Sequence, residues 1–338
     1  MLLSLRSLVA AFAVAMALFV VAPAGAQQPS SVNPTASSVK EQQLLEALKA
    51  GTPGTGTTLH GRITIPDANA GNLIQPQGQA WRSIHQGTMH WIAGIAILGM
   101  LAVLVVFYLI RGRIKLEKGF SGVLLQRFTS FERAVHWLVA GCFIILGLSG
   151  INVTMGKFLL LPLVGEEAFA TFSQWAKYAH NYLAWPFMLG LVFMFLNWVG
   201  QNIPSRIDLD WIRRGGGIIG HDNPPARKFN AGQKGIFWAV IIGGVSLSVS
   251  GIYLLYPPLA GGVLAGQFWN IVHGVVGVLL IAVILAHIYI GTVGMEGASG
   301  AMTTGEVDLN WAKEHHSLWV EEEKAKRTAH PQAVQPAE

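Results

Sequence analysis

Five long apolar segments dominate the chain from about residue 88 onwards. They lie at roughly residues 88–110, 134–155, 178–199, 234–256 and 270–292. Each is close to the ~20 residues that an α-helix needs to cross ~30 Å of hydrocarbon. Of the 338 residues, 52% are hydrophobic and only 12% are charged, which is too little charge to cover a soluble globule of this size. The sequence therefore predicts an all-α membrane protein with five spans.

The N-terminus has the pattern of a secretory signal peptide over residues 1–26. A basic start, an apolar stretch and a small-residue site predict cleavage after Ala26, with an uncleaved anchor as the alternative. Residues 27–86 are rich in Pro, Gly, Thr, Gln and Ser, which predicts a largely flexible extracytoplasmic segment. We expect residues 87–126 to contain the first span and a cytoplasmic loop.

Basic residues mark the side of the membrane on which each loop lies. Six lysines and arginines lie between spans one and two, six lie between spans three and four, and four follow span five. The loop at 156–177 instead carries Glu166 and Glu167, and the loop at 256–269 has no charge. The positive-inside rule then places the mature N-terminus outside and the C-terminus in the cytoplasm. It also accounts for the net charge of +5 without a nucleic-acid partner.

Four histidines lie within these apolar segments, where an ionisable side chain indicates a functional site. The predicted topology sorts them into an inner pair, His136 and His287, near the cytoplasmic ends of spans two and five. The outer pair, His180 and His273, lies near the outer ends of spans three and five. Because His273 and His287 are fourteen residues apart, one helix would separate them by roughly 21 Å on nearly the same face. Span five would therefore supply one ligand to each of two stacked sites.

Two imidazoles that face each other across a bundle suit a six-coordinate haem iron, which transfers electrons and has no open position for oxygen. The single cysteine, Cys142, excludes the two-cysteine attachment of c-type haem, so any haem would be bound noncovalently as haem b. Hydrogen-bonded contacts between helices are the alternative role for these histidines. A zinc or copper site is a weaker alternative, because neither depth offers a third ligand. The absence of carboxylates from the spans argues against a proton pump or ion carrier.

Other residues near the pairs are also candidates. His85 and His90 flank the outer start of span one and would compete for the outer site. Four glycines would let a flat ring approach the backbone, although we expect them mainly to pack helices: Gly147, Gly150, Gly274 and Gly277.

Several cytoplasmic stretches carry a resemblance to a known family. They are Phe131–Trp137 (FERAVHW), Gln201–Pro204 (QNIP), Lys228–Lys234 (KFNAGQK) with Trp238, and Trp311–His316 (WAKEHH). From about Arg127 to Ala325 the chain resembles the gamma subunit of respiratory formate dehydrogenase, a di-haem cytochrome b. The resemblance implies a four-helix di-haem domain over residues 127–295 and a cytoplasmic tail over 296–338, with one extra N-terminal span. The short members of the family lack the first ~125 residues, which would dock extracytoplasmic subunits or only tether the chain.

The resemblance also implies the ligands and the partners. The inner pair and the outer pair would each bind one haem b, and a quinone would be reduced near Asn230 and Gln233. Without the resemblance, Asn230 is better explained as the N-cap of span four. The partners would be an iron–sulfur beta subunit and a molybdenum or tungsten alpha subunit in a bacterial inner membrane. The chain would then be an enzyme subunit without a formate site of its own.

Three other functions stay open at this point. The first is the cytochrome b subunit of a nickel-iron hydrogenase, which would differ mainly in its partner. The second is a haem-free membrane anchor or transporter, in which the histidines only pack. The third is a stand-alone cytochrome that accepts electrons from a soluble donor.

Overall fold

The computed structural model describes residues 76–217 and 223–329. The predicted signal peptide and the extracytoplasmic residues up to 75 lie outside the described residues. Residues from 80 onwards form one compact unit, which contains every element described below except the start of the first helix.

Helices account for most of the described chain. They are α1 (Pro76–Ser83), α2 (Met89–Arg111), α3 (Ser130–Leu159), α4 (Leu161–Val164), α5 (Glu166–Trp198), α6 (Arg206–Arg213), α7 (Ala231–Leu255), α8 (Val263–Tyr289), α9 (Gly300–Thr303), α10 (Leu309–His315) and α11 (Ser317–Ala329). A π-helical turn, Ile84–Thr88, joins α1 to α2, and another, Ile290–Gly294, extends α8. Two short strands, β1 (Leu124–Gln126) and β2 (Glu306–Asp308), pair antiparallel with Leu124 opposite Asp308.

Five of these helices, α2, α3, α5, α7 and α8, are long and apolar enough to cross a membrane. Helix α3 packs along α5, α7 packs along α8, and α5 also contacts α7. These four form the bundle, and α2 packs against the face of α8. The predicted all-α, multi-pass fold is therefore confirmed, with one small pair of strands outside the bundle.

The structure corrects three predicted irregular segments. Residues 76–86, predicted to be flexible, form α1 and part of the π-helical turn. The predicted loop at 156–177 is largely helical, because α5 begins at Glu166 rather than near residue 178. The two glutamates of its first turn lie where the helix dipole favours negative charge. The C-terminal segment is more than a tail, since residues 296–338 contain β2 and three helices.

Capping boxes begin two of the bundle helices. At α3 the Thr129 side chain accepts a hydrogen bond from the Glu132 backbone N–H, and the Glu132 carboxylate accepts from the Thr129 N–H. Asn230 and Gln233 form the same reciprocal pair at the start of α7. Each box satisfies two backbone donors that a helix N-terminus otherwise leaves without partners. The two boxes therefore fix where both helices begin.

A buried ion pair ties α6 to the start of α7. Lys234 Nζ lies 2.8 Å from Asp208 Oδ2 and also donates to the carbonyl of Ile203. Burial alone would raise the pKa of Asp208, but hydrogen bonds from Lys234 and Ser205 outweigh it and hold that pKa below its ordinary value. Asp208 is therefore a carboxylate at neutral pH, paired with a buried ammonium.

Asp208→Asn should destabilise the protein, because it leaves the buried Lys234 ammonium without a counter-charge. Losing one partner of a buried pair costs about 3–5 kcal/mol, and an SDS titration of the detergent-purified chain measures this loss. Asp210→Asn is the matched control, since Asp210 is exposed on the same helix and the charge change is identical. Equal stability of the two variants would show that the ion pair contributes little.

Candidate functional site

The structure brings together both predicted histidine pairs. The ring centres of His136 on α3 and His287 on α8 lie 6.2 Å apart, with the ring planes tilted by 60°. Those of His180 on α5 and His273 on α8 lie 6.0 Å apart, with a tilt of 62°. Helix α8 contains one member of each pair, as the fourteen-residue spacing predicts.

These separations fit one metal ion between two imidazoles. A metal–nitrogen distance of about 2 Å on each side, with about 1 Å from nitrogen to ring centre, places the ring centres roughly 6 Å apart. Within the described residues, no hydrogen bond joins the two rings of either pair. The same part of the chain contains no group of three or more His, Cys, Asp or Glu side chains that would hold an ion. The geometry therefore favours a haem iron with two axial histidines over zinc or a direct histidine–histidine contact.

Each ring of the outer pair is held by a serine on a neighbouring helix. Ser149 Oγ on α3 lies 2.9 Å from His180 Nδ1, and Ser250 Oγ on α7 lies 2.9 Å from His273 Nδ1. Both serines are buried, with 5% and 0% of their surface exposed. The sequence interpretation missed both; each is followed by a glycine, but the same Ser-Gly dipeptide also occurs at residues 121–122 and 299–300 and does not single them out.

The inner pair has different surroundings. His136 Nδ1 is buried and has no hydrogen-bond partner in the described part of the chain. The ring packs edge-on against Trp137, with the ring centres 5.2 Å apart. A buried ring nitrogen without a hydrogen-bond partner costs free energy. A group bound at the other nitrogen of the ring would offset that cost and account for the orientation of the ring.

Glycines lie beside the outer rings. A Cβ atom on Gly150 would lie 3.5 Å from Cε1 of His180, and one on Gly251 would lie 3.4 Å from Cε1 of His273. Gly251 was not among the glycines singled out from the sequence. The other three predicted glycines face side chains of neighbouring helices and serve packing: Gly147 faces Ile281, Gly274 faces Met89 and Gly277 faces Leu247.

His85 and His90 make other contacts. His85 stacks on Trp81 with the ring centres 4.9 Å apart. Both ring nitrogens of His90 face backbone carbonyl oxygens, those of Gln86 and Thr154. Because both nitrogens of His90 are engaged, the structure does not bring it into the outer pair.

Asn230 and Gln233 are engaged through their carbonyl oxygens. Asn230 Oδ1 accepts from the Gln233 N–H at 2.9 Å, and Gln233 Oε1 accepts from the Asn230 N–H at 3.1 Å. Gln233 Oε1 also accepts from Arg127 Nη2 at 3.2 Å. These contacts fix the orientation of the Gln233 amide and leave its NH₂ group to donate elsewhere. The structure thus shows the cap, and the cap is compatible with a ligand on the amide nitrogens.

Arg127 is a buried cation that the sequence interpretation treated only as a topology signal. The residue is 4% exposed, and its guanidinium donates to the Lys228 carbonyl at 2.6 Å and to His316 Nε2 at 2.9 Å. Among the described residues no carboxylate pairs with it. Burial lowers its pKa to about 9, which leaves it charged at neutral pH. Three aromatic rings surround it, those of Phe128, Trp311 and Trp319.

His316 completes this cluster from the C-terminal segment. The ring is fully buried, and its Nδ1–H donates to the Arg227 carbonyl at 2.7 Å, which leaves Nε2 to accept from Arg127. Burial, reinforced by the charge of Arg127, holds the pKa of His316 well below its ordinary value. His316 is therefore a neutral acceptor, and it fixes a positive charge next to Gln233.

A model of the prokaryotic cytochrome b561 family matches residues 127–305, which include all four paired histidines. The nitrate-inducible formate dehydrogenase cytochrome b556(Fdn) subunit of Escherichia coli strain K12 is 31% identical over 208 residues, which are 60% of this chain and 93% of that protein. The formate dehydrogenase cytochrome b556(fdo) subunit of the same strain is 32% identical over 202 residues, which are 59% of this chain and 92% of that protein.

A more distant relative has the same type of name. The formate dehydrogenase cytochrome b556 subunit of Haemophilus influenzae is 28% identical over 207 residues, which are 56% of this chain and 80% of that protein. The family model covers more than half of the chain and includes the whole histidine-bearing bundle. This chain is therefore a membrane cytochrome b and belongs to the prokaryotic cytochrome b561 family.

Proposed function

We propose that this chain is the gamma subunit of a quinone-reducing formate dehydrogenase and that its two histidine pairs each hold one haem b. The observation that carries the proposal is the pair of ring separations, 6.2 and 6.0 Å, with α8 supplying one ligand to each site. The two Escherichia coli relatives are formate dehydrogenase subunits, which supports formate, rather than hydrogen, as the source of electrons.

The residues of the chain would bind and orient the cofactors and exclude water from them. When bound, a haem b held by two imidazoles supplies one-electron transfer and has no open position for substrate. His136 and His287 would hold the inner haem, and His180 and His273 the outer one. The apolar helices around each pair would keep charge and water away from a bound haem, which is one of the ways a protein sets a redox potential.

Each subunit of the complex would carry out a different part of the overall reaction. The alpha subunit, with molybdenum or tungsten, would oxidise formate to carbon dioxide and release two electrons and one proton. An iron–sulfur beta subunit would deliver the electrons on the outer side of a bacterial inner membrane. On the cytoplasmic side, a quinone would take up two electrons and two protons to become a quinol. The predicted topology, with the C-terminus in the cytoplasm, supports sites on opposite faces.

Asn230 and Gln233 would bind the quinone through their amide NH₂ groups. A quinone carbonyl accepts hydrogen bonds, and both side-chain oxygens are already used within the cap. Arg127 holds the Gln233 amide in this orientation and adds a positive charge beside it. A nearby cation stabilises negative charge that develops on the quinone oxygens during reduction.

Gln233→Glu separates the cap from the quinone role. Glutamate is the residue preferred at this position of a capping box, and it keeps an acceptor for Arg127, but it has no NH₂ donor. We expect haem content to stay at the wild-type value and thermal stability not to fall. The KM for quinone should rise by about tenfold or more, because the variant loses one hydrogen bond and its carboxylate offsets the charge of Arg127. If the variant shows the wild-type KM in steady-state assays with a soluble quinone, Gln233 serves only as part of the helix cap.

His273→Ala tests the outer site. The variant should lose one of two haems in a pyridine haemochrome assay and should lose formate-driven quinone reduction, because one of the two axial ligands is gone. His85→Ala is the control, since His85 stacks on Trp81 outside either pair and should leave both haems in place. A His273→Ala protein that keeps two haems with two histidine ligands each would rule out this assignment.

A further inference from the structure

The serines beside the outer pair form a repeated arrangement that the proposed electron-transfer function does not yet use. We propose that Ser149 and Ser250 are positioning residues that hold His180 and His273 with Nδ1 protonated and Nε2 directed at the haem iron. By doing so they give the outer haem a lower reduction potential than the inner haem. This inference rests on the haem sites proposed above.

The direction of each hydrogen bond follows from the neighbouring backbone. Ser149 Oγ donates to the Ile145 carbonyl at 2.6 Å, and Ser250 Oγ donates to the Ser246 carbonyl at 2.7 Å. A hydroxyl has only one proton to donate. Since that proton is used on the serine's own helix, each Oγ accepts from the histidine, and the histidine nitrogen beside it carries the proton.

A second carbonyl lies within reach of each serine hydroxyl. Ser149 Oγ lies 3.1 Å from the Leu146 carbonyl oxygen, and Ser250 Oγ lies 3.2 Å from that of Leu247. Because the hydroxyl proton has acceptors on the serine's own helix, Nδ1 is the protonated nitrogen in both rings. Nε2 is then the nitrogen with a free lone pair, which is what an axial ligand of iron requires.

The two serines act from equivalent positions on different helices. Ser149 lies on α3 and Ser250 on α7, and both Oγ–Nδ1 distances are 2.9 Å. In both cases the next residue is a glycine that lies against the same ring, at 3.5 and 3.4 Å from a Cβ built on it. The Ser-Gly dipeptide therefore combines a hydrogen-bond acceptor with the space that the ring needs beside the helix.

The inner pair has no corresponding contacts. His136 Nδ1 is buried without a partner, and no serine bonds to His287 in the residues that the structure describes. An acceptor on Nδ1–H makes an imidazole a stronger electron donor to its metal, which favours oxidised iron. The ligand environment thus lowers the potential at the outer site relative to the inner one. An electron that enters from the outside would then move downhill towards the cytoplasmic side.

The test is a redox titration of the purified complex with Ser149→Ala, Ser250→Ala and the double variant, followed by visible spectroscopy. We expect the potential of the outer haem to rise in each single variant and to rise further in the double variant, while that of the inner haem stays constant. The outer component is the one that is missing from His273→Ala. Ser149→Thr keeps the hydroxyl and should move the potential back towards that of wild type.

Ser248→Ala is the matched control. Ser248 lies on α7 and also donates to a carbonyl of its own helix, that of Gly244, but its hydroxyl has no histidine partner in the described chain. The reduction potentials of both haems in the Ser248→Ala variant should match those of wild type. Selective loss of the outer haem from the serine variants, with the control intact, would also support the positioning role.

The inference is overturned if the double variant keeps both haems and both wild-type potentials. That outcome would leave the proposed function standing, since haem binding would be unaffected. A wild-type complex with no haem, or with only one, would instead refute the proposed function itself. The two failures are therefore distinguishable in the same set of measurements.

Discussion

An imidazole ring at membrane depth has no water to hydrogen-bond with, so both of its nitrogens need partners within the protein or in a bound group. In the outer pair, Ser149 and Ser250 satisfy one nitrogen of each ring, and the other nitrogen is left to a group held between the rings. The ring separation of 6.0 Å leaves room for one metal ion and for little else. Much of the bundle is arranged around this requirement.

Helix α8 is the element on which both sites depend. It carries His273 and His287, and it packs against α7, α3 and α2. Helix α2, which precedes the part of the chain that the family model matches, contacts α8 through Met89, a residue that is only 1% exposed. A Cβ atom on Gly274 would lie 3.0 Å from the Met89 Cε atom, so the methionine occupies the space left by this glycine. The added span is therefore packed directly beside an outer ligand and restrains the helix that bears it.

Hydropathy and charge were enough to predict the spans and the pairing of the histidines. Both predictions depend on averages over many residues, namely the hydropathy of about twenty residues and the sign of the net charge of a loop. Such averages are insensitive to local detail. The predicted start of α5 was wrong by more than two turns. The helix begins before the apolar stretch, among polar residues that hydropathy assigns to a loop. The Asn230–Gln233 cap could be anticipated, since a capping box is local in sequence.

Other parts of the site could not be predicted, because they depend on which side chains meet across the bundle. Serines are common in membrane helices, and no local pattern showed that Ser149 and Ser250 would face histidines. Arg127 was counted only among the basic residues of the predicted cytoplasmic loop between spans one and two, and the fold buries it against His316, a residue almost two hundred positions away in the sequence. Its environment consists of neutral acceptors and aromatic rings, and two of these rings, those of Trp311 and Trp319, come from a distant segment. Only the folded chain reveals such a cluster.

The central claim is that this one chain holds two haems, each between two histidines. The most direct test is the haem-to-protein ratio of the purified complex, combined with low-temperature electron paramagnetic resonance of the oxidised protein. The account predicts two haem b groups per copy of the chain, both low-spin with two imidazole ligands. One haem per chain, or a high-spin iron with an open coordination position, would contradict it.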